Sequence, residues 1–378
     1  MNFEWRLLRY LDWVLLLTVL LLTGVGLVVI ASAARGYMPG NWQIYVYKQA
    51  AGMVLGLLAM AVILLFDYTE FGRMHRFLYV VNLILLLLVW VPGLGVEHNN
   101  ARSWIDLRVV ELQPAELTKV LVILTLGWQL ARAESLREWW DLVPHLAHVL
   151  PFVALILIQP DLGSALVLIM LVAGMLYMAG VPGWRFLVAG LLAAALVAGV
   201  LLAHDRGIDL PGVSEYQVNR IRCWLNPEYD TREACYNVVQ SRVAIAVGGL
   251  KGAGLFSGTQ TQLGFVPEQP TDFIFSAVGE ELGFLGASGV LLGFLIVIWR
   301  ILLTAIQAKD RYGTLIATGV ASMLGFHILE NTGMAVGLMP VTGIPLPFIS
   351  YGPTALVANY IAIGLVLNVG MRRQPILF

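Results

Sequence analysis

The sequence predicts an all-α polytopic membrane protein with about ten transmembrane helices. Apolar residues make up 59% of the 378 residues and charged residues only 12%, which is about half the charged share of a soluble protein. The mean hydropathy is +0.80. Apolar runs recur along the whole chain, and most approach the roughly 20 residues that a helix needs to cross a bilayer.

The apolar runs predict ten spans in chain order. They are 12–34, 43–66, 77–92, 112–132, 144–158, 164–180, 186–203, 274–303, 315–338 and 354–370. The fifth and sixth runs are short and are separated by Gln159-Pro160-Asp161. They could form one bent segment, but a Pro-Asp break is more typical of a re-entrant or outer turn. We expect one integral membrane domain over residues 1–378, with a large loop, 204–273, between the seventh and eighth spans.

The charge distribution predicts the orientation in the membrane. Arginine and lysine are concentrated in the segments that face inward if the N-terminus is cytoplasmic, as the positive-inside rule requires. We therefore expect both termini in the cytoplasm and the 204–273 loop outside. The other motif-rich connections, 93–111, 159–163 and 339–353, then lie on the same outer face. Cytosolic ATP does not reach that face, so the substrate is expected to arrive already activated.

Composition also argues against two other functions. The net charge of −1 provides no electrostatic footprint for nucleic acid. The glycine-rich segment 248–252 lacks the strand–loop–helix setting of a phosphate loop, so nucleotide binding is not expected.

The most informative segment runs from Gly258 to Gly283 and concentrates carboxylates beside an apolar run. Ionisable groups among membrane spans are energetically costly and are functional by default. Asp272 lies at the mouth of the eighth span, where it could cap the helix or act as a general base. Partial desolvation would raise its pKa toward neutrality, as general bases require. Glu280 and Glu281 lie deeper, and we expect one of them to pair with a cation from a neighbouring span.

Three polar motifs on the same face supply further candidate residues. Glu116 and Lys119 are three residues apart and share one helical face at the start of the fourth span. They form either a neutralising ion pair or a site in which the lysine binds an anionic substrate group. Asp161 opens the sixth span, where helix capping and a functional role are compatible. Trp104 is either an interfacial belt residue or, beside Arg102, a platform for a sugar ring.

Together these motifs resemble the SEDS family of polytopic membrane proteins, the RodA/FtsW cell-wall polymerases, from about Arg9 to Val369. The motifs that carry the resemblance are Arg102-Ser103-Trp104-Ile105, Gln113-Pro114-x-Glu116-x-x-Lys119, Gln159-Pro160-Asp161-x-Gly163, Thr271-Asp272-Phe273-Ile274-Phe275 with Glu280-Glu281-Leu282-Gly283, and Pro345-Leu346-Pro347-Phe348-Ile349-Ser350-Tyr351-Gly352. The segment 258–263 is more similar to the RodA branch than to the FtsW branch. Two residues depart from the family pattern: Pro270 replaces a common histidine and Pro353 a common glycine.

The resemblance implies a peptidoglycan glycosyltransferase that joins lipid II units at the outer face of the bacterial cytoplasmic membrane, for cell elongation and shape. The family's essential aspartate corresponds to Asp272, and its functionally important tryptophan to Trp104. Its buried polar residues correspond to Glu116, Lys119 and Asp161. The expected partners are lipid II, the growing glycan, membrane lipids and a class B penicillin-binding protein docked at the eighth and ninth spans.

The expected mechanism uses Asp272 as general base on the 4-hydroxyl of the acceptor sugar, with undecaprenyl diphosphate as leaving group. Cations should stabilise the diphosphate, and the remaining predicted substrate contacts come from the loops. The predicted substrate-binding residues are Trp104, Arg102, Glu116, Lys119, Asp161, Arg220, Arg222, Glu268 and Ser350. No tightly bound cofactor is expected. Binding of Mg²⁺ or Mn²⁺ by Asp161 or Glu116 is an open alternative. The alternatives are a lipid II flippase or transporter, and a non-catalytic scaffold for a transpeptidase.

The two cysteines, Cys223 and Cys235, both lie in the large loop. The outer face is oxidising, and Asn226-Pro227 between them indicates a turn. We therefore expect a Cys223–Cys235 disulfide rather than two free buried thiols. It would hold Arg220 and Arg222 near the diphosphate of the substrate.

Overall fold

The computed structural model describes residues 9–38, 40–98, 101–106, 111–208, 215–226, 228–230 and 234–373. Within these ranges the chain forms fourteen helices and one small antiparallel sheet. The helices are α1 Trp13–Tyr37, α2 Trp42–Leu65, α3 Tyr68–Arg73, α4 His75–Leu88, α5 Pro114–Ala131, α6 Trp139–Ile158, α7 Leu162–Ala179, α8 Gly183–Asp205, α9 Glu215–Leu225, α10 Tyr236–Gly248, α11 Thr259–Gln262, α12 Ile274–Gln307, α13 Arg311–Val336 and α14 Pro353–Met371. The strands are β1 Gly95–His98, β2 Ala101–Asp106 and β3 Glu111–Leu112.

Each of the ten predicted spans is a helix. In the described part of the chain eight helices are long and apolar enough to cross a membrane: α1, α2, α6, α7, α8, α12, α13 and α14. The third and fourth predicted spans, α4 and α5, are not among these eight. The helix α4 has only 14 residues, and α5 is less apolar because it contains Glu116 and Lys119. The chain is therefore an all-α multi-pass membrane protein, as predicted.

The fifth and sixth predicted spans are two separate helices. α6 ends at Ile158 and α7 begins at Leu162. Between them the Asp161 carboxylate accepts a hydrogen bond from the Ser164 backbone amide at 2.9 Å, which satisfies a free N–H group of the first turn of α7. The alternative of one bent segment is therefore ruled out.

The centre of the bundle is formed by α13 and α14. In the most apolar stretches of these helices, 72% and 78% of the residues are buried, because α2 packs along α14 while α5, α7 and α12 surround α13. Close approach of α2 to α14 depends on Gly56, where an added Cβ would lie 2.6 Å from the Tyr360 ring. The helix α8 lies outside this core, and none of its most apolar stretch is buried.

The described part of the large loop contains the helices α9, α10 and α11, and its segment 249–254 is fixed to α12. α12 breaks at Gly283, whose φ of 66° favours glycine. The break leaves backbone groups of α12 without helical partners, and the segment 249–254 pairs with them. Its bonds to α12 are Ala253 N to Glu280 O at 2.9 Å, Gly254 N to Glu281 O at 3.0 Å, and Gly249 O to Phe284 N at 2.8 Å. This pairing makes a non-helical backbone tolerable inside a membrane protein.

Candidate functional site

Asp272 belongs to a tight turn that directly precedes α12. The N-cap residue of α12 is Phe273, and no side chain caps this helix. The turn is instead organised by the Glu268 carbonyl oxygen, which accepts from the Asp272 amide at 3.0 Å and from the Phe273 amide at 3.3 Å. The helix-cap interpretation of Asp272 is therefore wrong, and its carboxyl group is not used to terminate the helix.

Asn331 of α13 holds this turn in place through hydrogen bonds. The Asn331 side-chain amide donates to the Asp272 carbonyl oxygen at 2.7 Å and to the Ile344 carbonyl oxygen at 2.8 Å. Asn331 is fully buried. At Gly343, the residue before Ile344, an added Cβ would lie 3.3 Å from Asp272 Oδ2. Asn331 thus fixes the position of Asp272 relative to the segment that follows α13.

Ser350 fastens the same segment to the turn. Its hydroxyl donates to the Thr271 carbonyl oxygen at 2.6 Å and accepts from the Leu346 amide at 2.8 Å. The Tyr351 amide donates to the Pro270 carbonyl oxygen at 2.9 Å. The buried Ser350 hydroxyl therefore makes two hydrogen bonds to backbone groups, and its predicted substrate contact stays a prediction.

Gln49 of α2 holds the segment from the other side. Its amide nitrogen donates to the Ser350 carbonyl oxygen and its amide oxygen accepts from the Gly352 amide, both at 3.0 Å. Pro353 is the first residue of α14. A backbone N–H group at this position would have no partner within the helix, so a proline, which lacks it, fits there. The departure from the family pattern at Pro353 therefore fits the local structure.

The surroundings of Asp272 favour its protonated form. Burial raises the pKa of the Asp272 carboxyl to about 6, and the negative charges of Glu268 and Asp161 act in the same direction. The positive charge of Arg220 and a hydrogen bond from Thr271 oppose the rise. A carboxylate with a pKa near neutrality can accept a proton from a reacting group and release it again.

Three helices begin beside Asp272, and we call this region the Asp272 end of the bundle. The Gln113 side chain, just before α5, donates to Asp161 Oδ2 at 3.1 Å, which joins the starts of α5 and α7. The Asp161 charge in turn acts on Asp272 at the start of α12. Helix N-termini carry partial positive charge and bind anions, so this end suits a negatively charged group.

Lys119 lies in the second turn of α5, within a buried cluster of ionisable side chains. Its ammonium group is buried and donates to Glu116 Oε1 at 2.8 Å and to His327 Nε2 at 3.1 Å. The other ring nitrogen of His327 then donates to the Met323 carbonyl oxygen at 3.0 Å. The structure thus contains the buried Glu116–Lys119 ion pair, one of the two predicted alternatives, and binding of an anion by Lys119 stays a prediction. Glu116 is also buried, and its predicted substrate contact stays a prediction.

The buried pair is linked to the turn that contains Asp272 through α13. His327 and Asn331 are four residues apart and lie on one face of that helix. Lys119 contacts the first of them, and the Asp272 backbone contacts the second. A small cavity between Glu116, His327 and the segment 345–352 lies alongside this connection. The ion pair can therefore influence the turn without touching substrate.

Glu280 and Glu281 are both buried but bind neutral donors rather than a cation. Glu280 accepts from the backbone amides of Gln260 and Thr261 at 2.7 and 2.8 Å, which are free N–H groups of α11. Glu281 accepts from the Ser32 hydroxyl at 2.6 Å. The expectation of a cation partner is corrected, because the amides at the start of α11 already stabilise the Glu280 charge.

The disulfide between Cys223 and Cys235 is present, with the two Cα atoms 5.3 Å apart. It joins α9 to the start of α10. Arg220 lies near enough to Asp272 for its charge to lower the pKa of that carboxyl. Arg222 instead forms an ion pair with Asp205 at the end of α8. Arg220 therefore remains a candidate contact for an anionic substrate, and the prediction for Arg222 stays a prediction, with Asp205 as its partner in this structure.

Trp104 and Arg102 lie in the central strand of the small sheet. Trp104 pairs with Val96 of β1 and is half-buried. The third strand, β3, begins with Glu111 and leads directly into Gln113 and α5. Its Glu111 carbonyl oxygen accepts from the Thr354 hydroxyl at 2.7 Å. The sheet is therefore fixed to the Asp272 end of the bundle, where Trp104 and Arg102 remain candidate substrate contacts.

The predicted metal ligands are not brought together as a ligand group. Across the described ranges, no cluster of three or more His, Cys, Asp or Glu side chains is arranged to hold a metal ion. The oxygens of Asp161 accept from Ser164 and Gln113, and Glu116 is neutralised by Lys119. The donor set at these two carboxylates does not fit a bound divalent cation.

The residues that sequence reasoning missed are Gln49, Asn331 and His327. Each is a single polar side chain within an apolar run, and a polar group inside a span is itself a signal of function. Their partners are backbone carbonyls or residues distant in sequence, so their roles became visible only in the folded structure.

The fold and the site define a multi-pass membrane protein. Where several of its helices begin, it carries a buried carboxyl group with a raised pKa. The chain matches the model of the FtsW, RodA and SpoVE family, described as cell cycle proteins, over residues 12–374, and it belongs to that family. A probable peptidoglycan glycosyltransferase FtsW of Trichlorobacter lovleyi is 34% identical over 378 residues, covering 98% of this chain and 96% of the relative.

Two further proteins are similar along most of their length. The peptidoglycan glycosyltransferase MrdB of Escherichia coli is 33% identical over 335 residues, covering 86% of each chain. A solved structure described as "Structural coordination of polymerization and crosslinking by a peptidoglycan synthase complex" is 32% identical with a TM-score of 0.78, covering 95% of this chain and 97% of that one.

Proposed function

We propose that this chain is a peptidoglycan glycosyltransferase that polymerises lipid II into glycan strands. The observation that carries the proposal is the Asp272 carboxyl, with its pKa raised to about 6, held where α5, α7 and α12 begin. The names of the FtsW and MrdB relatives support the same reaction class.

In the proposed reaction the 4-hydroxyl of the acceptor sugar gives its proton to the Asp272 carboxylate. The hydroxyl oxygen then bonds to the anomeric carbon of the donor sugar, and the bond from that carbon to the diphosphate oxygen breaks. Undecaprenyl diphosphate leaves with the bonding electron pair. General base catalysis of this kind contributes about 10²–10⁴-fold to the rate. Asp272 afterwards releases its proton to water.

The departing diphosphate gathers negative charge, and groups that attract anions should face it. The partial positive charge of the three helix N-termini meets this need, together with the side chains of Arg220 and Arg102. Trp104 would stack against a sugar ring, and Glu268 would accept hydrogen bonds from sugar hydroxyls. No step is assigned to a metal ion, since the carboxylates of Asp161 and Glu116 are already occupied.

We place the reaction at the outer face of the bacterial cytoplasmic membrane, with both termini in the cytoplasm, on the positive-inside distribution of arginine and lysine. Cysteine accessibility labelling of intact cells tests this orientation. A single cysteine introduced at Gln307, the last residue of α12, should be protected from a membrane-impermeant maleimide. Labelling at Gln307 in intact cells would contradict the orientation.

A class B penicillin-binding protein is the proposed partner, in line with the coupling of polymerisation to crosslinking named for the similar complex. Of the eighth and ninth spans, α13 is mostly buried within the bundle. The helix α12 instead exposes large apolar side chains, among them Phe284, Leu285, Leu295 and Trp299. We therefore assign the docking face to α12. Equal polymerisation rates with and without the transpeptidase, at saturating lipid II, would contradict the coupling.

We further propose a role in cell elongation and shape, on the similarity of the segment 258–263 to the RodA branch. The test is complementation of cells depleted of either their elongation or their division polymerase. Rescue of rod shape supports the elongation role, and rescue of septation alone contradicts it.

Purified protein incubated with fluorescent lipid II tests the reaction itself. The proposal predicts glycan polymer on a gel without added nucleotide. Movement of lipid II across the vesicle membrane without polymer would identify a flippase. Absence of both activities, with stimulation of a transpeptidase, would identify a scaffold.

A further inference from the structure

An arginine at the Asp272 end of the bundle carries a charge that none of the described residues neutralises. Arg35 lies in the last turn of α1 and is exposed. Throughout the described part of the chain, its guanidinium group makes neither a hydrogen bond nor an ion pair. The arginines at positions 300 and 222 differ, because each of them pairs with an aspartate. Arg35 is therefore available to a ligand.

The guanidinium group is nevertheless held in place by two aromatic rings. Its central carbon lies 4.3 Å from the centroid of the Trp42 ring and 4.3 Å from that of the Phe256 ring. Such cation–π contacts each contribute about 0.5–1 kcal/mol at exposed sites. The two aromatic rings stack against the guanidinium group. A ligand would therefore bind at the edge of that group, which carries the N–H donors. That edge matches two oxygens of a phosphate.

The loop that supplies Phe256 is held in an unusual conformation. Phe256 has a φ of 62°, a left-handed region that bulky residues rarely adopt and that is often associated with function. Its backbone N–H group donates to the buried Glu281 carboxylate, which keeps this conformation. The fold thus fixes the ring against Arg35 through a hydrogen bond to α12.

Arg35 also lies beside the proposed catalytic turn. Two residues further on, the Tyr37 hydroxyl donates to Glu268 Oε1 at 3.5 Å, and Glu268 belongs to the turn that holds Asp272. The end of α1 and the start of α2 are where a spanning helix meets the lipid headgroups. An anion that reaches Arg35 from the membrane would be one carried by a lipid.

We propose that Arg35, clamped between Trp42 and Phe256, is a binding subsite for a lipid-borne phosphate group. Two lipids carry this chemistry at the membrane surface. One is the undecaprenyl diphosphate portion of the substrate, an identification that rests on the proposed function. The other is the headgroup of an anionic phospholipid, which does not depend on it.

The test measures binding of two probes to the full-length protein in neutral detergent: undecaprenyl diphosphate and phosphatidylglycerol. Arg35→Gln should weaken binding of one probe about tenfold, equivalent to ~1.4 kcal/mol. Arg35→Lys should retain part of the affinity, since it keeps the charge but loses the planar pair of donors. Phe256→Leu should also weaken binding, because it removes one stacked ring. The matched control is Arg73→Gln, an exposed arginine paired with Glu70, and it should leave both affinities unchanged.

A loss confined to undecaprenyl diphosphate assigns the subsite to the substrate, and a loss confined to phosphatidylglycerol assigns it to a membrane lipid. Unchanged affinity for both probes in Arg35→Gln, with a melting temperature equal to that of the wild type, overturns the proposal. Because these measurements need no turnover, they are independent of whether the wild-type protein polymerises lipid II.

Discussion

Replacement of Lys119 by methionine removes the cation from a buried cluster of three ionisable side chains. The side chain of Lys119 is 1% exposed and that of Glu116 4%, with 2.8 Å between Nζ and Oε1. The substitution leaves the Glu116 charge unpaired away from water. Breaking a buried pair in this way costs about 3–5 kcal/mol, so Lys119→Met should strongly lower the free energy of unfolding.

The second substitution, Glu116→Gln, separates a structural role from a catalytic one. In the double variant no uncompensated charge is left, so we expect it to regain most of the lost stability. If the pair acts through α13, lipid II polymerisation should recover together with stability. Thermal unfolding in detergent and polymerisation by the same preparations provide the two measurements. A double variant that is as stable as the wild type yet inactive would refute this reasoning and assign Lys119 a direct role.

Three other predictions concern the site and its loop. The polymerisation rate should rise with pH through about pH 6, because the base form of Asp272 exists only above its raised pKa; a rate independent of pH between 5 and 7 would exclude Asp272 as the titrating base. Asn331→Leu removes two buried hydrogen bonds, each worth about 0.5–1.5 kcal/mol, so kcat should fall about tenfold with little change in KM. An unchanged kcat would show that the turn keeps its position without the Asn331 side chain. Alkylation of the non-reduced, denatured protein followed by mass spectrometry should leave Cys223 and Cys235 unmodified, and two alkylated cysteines would disprove the disulfide.

Most of the fold was accessible from hydropathy, because each span must satisfy its backbone internally and therefore be helical. This physical constraint acts on each segment separately, which is why the ten runs could be recognised without knowing their neighbours. The break of α12 at Gly283 was not accessible in this way. It depends on backbone pairing with the distant segment 249–254.

The site was predictable where a residue's chemistry stands out locally, and not where a partner decides its role. Asp272 was identifiable as a carboxylate at the mouth of an apolar run, and its raised pKa follows from that position. The roles of Lys119 and Arg222 depend on His327 and Asp205, which the sequence does not place beside them. The backbone partners of the Ser350 hydroxyl, Thr271 and Leu346, were likewise not predictable from its local sequence.

The measurement that tests the central claim most directly is lipid II polymerisation by purified Asp272→Asn. The amide has nearly the same shape as the carboxylate but cannot accept the proton of the acceptor hydroxyl. The variant should remain folded and membrane-inserted, with a wild-type melting temperature, while its rate falls by about 10²–10⁴-fold. A purified variant that polymerises lipid II near the wild-type rate would contradict the assignment of Asp272 as general base.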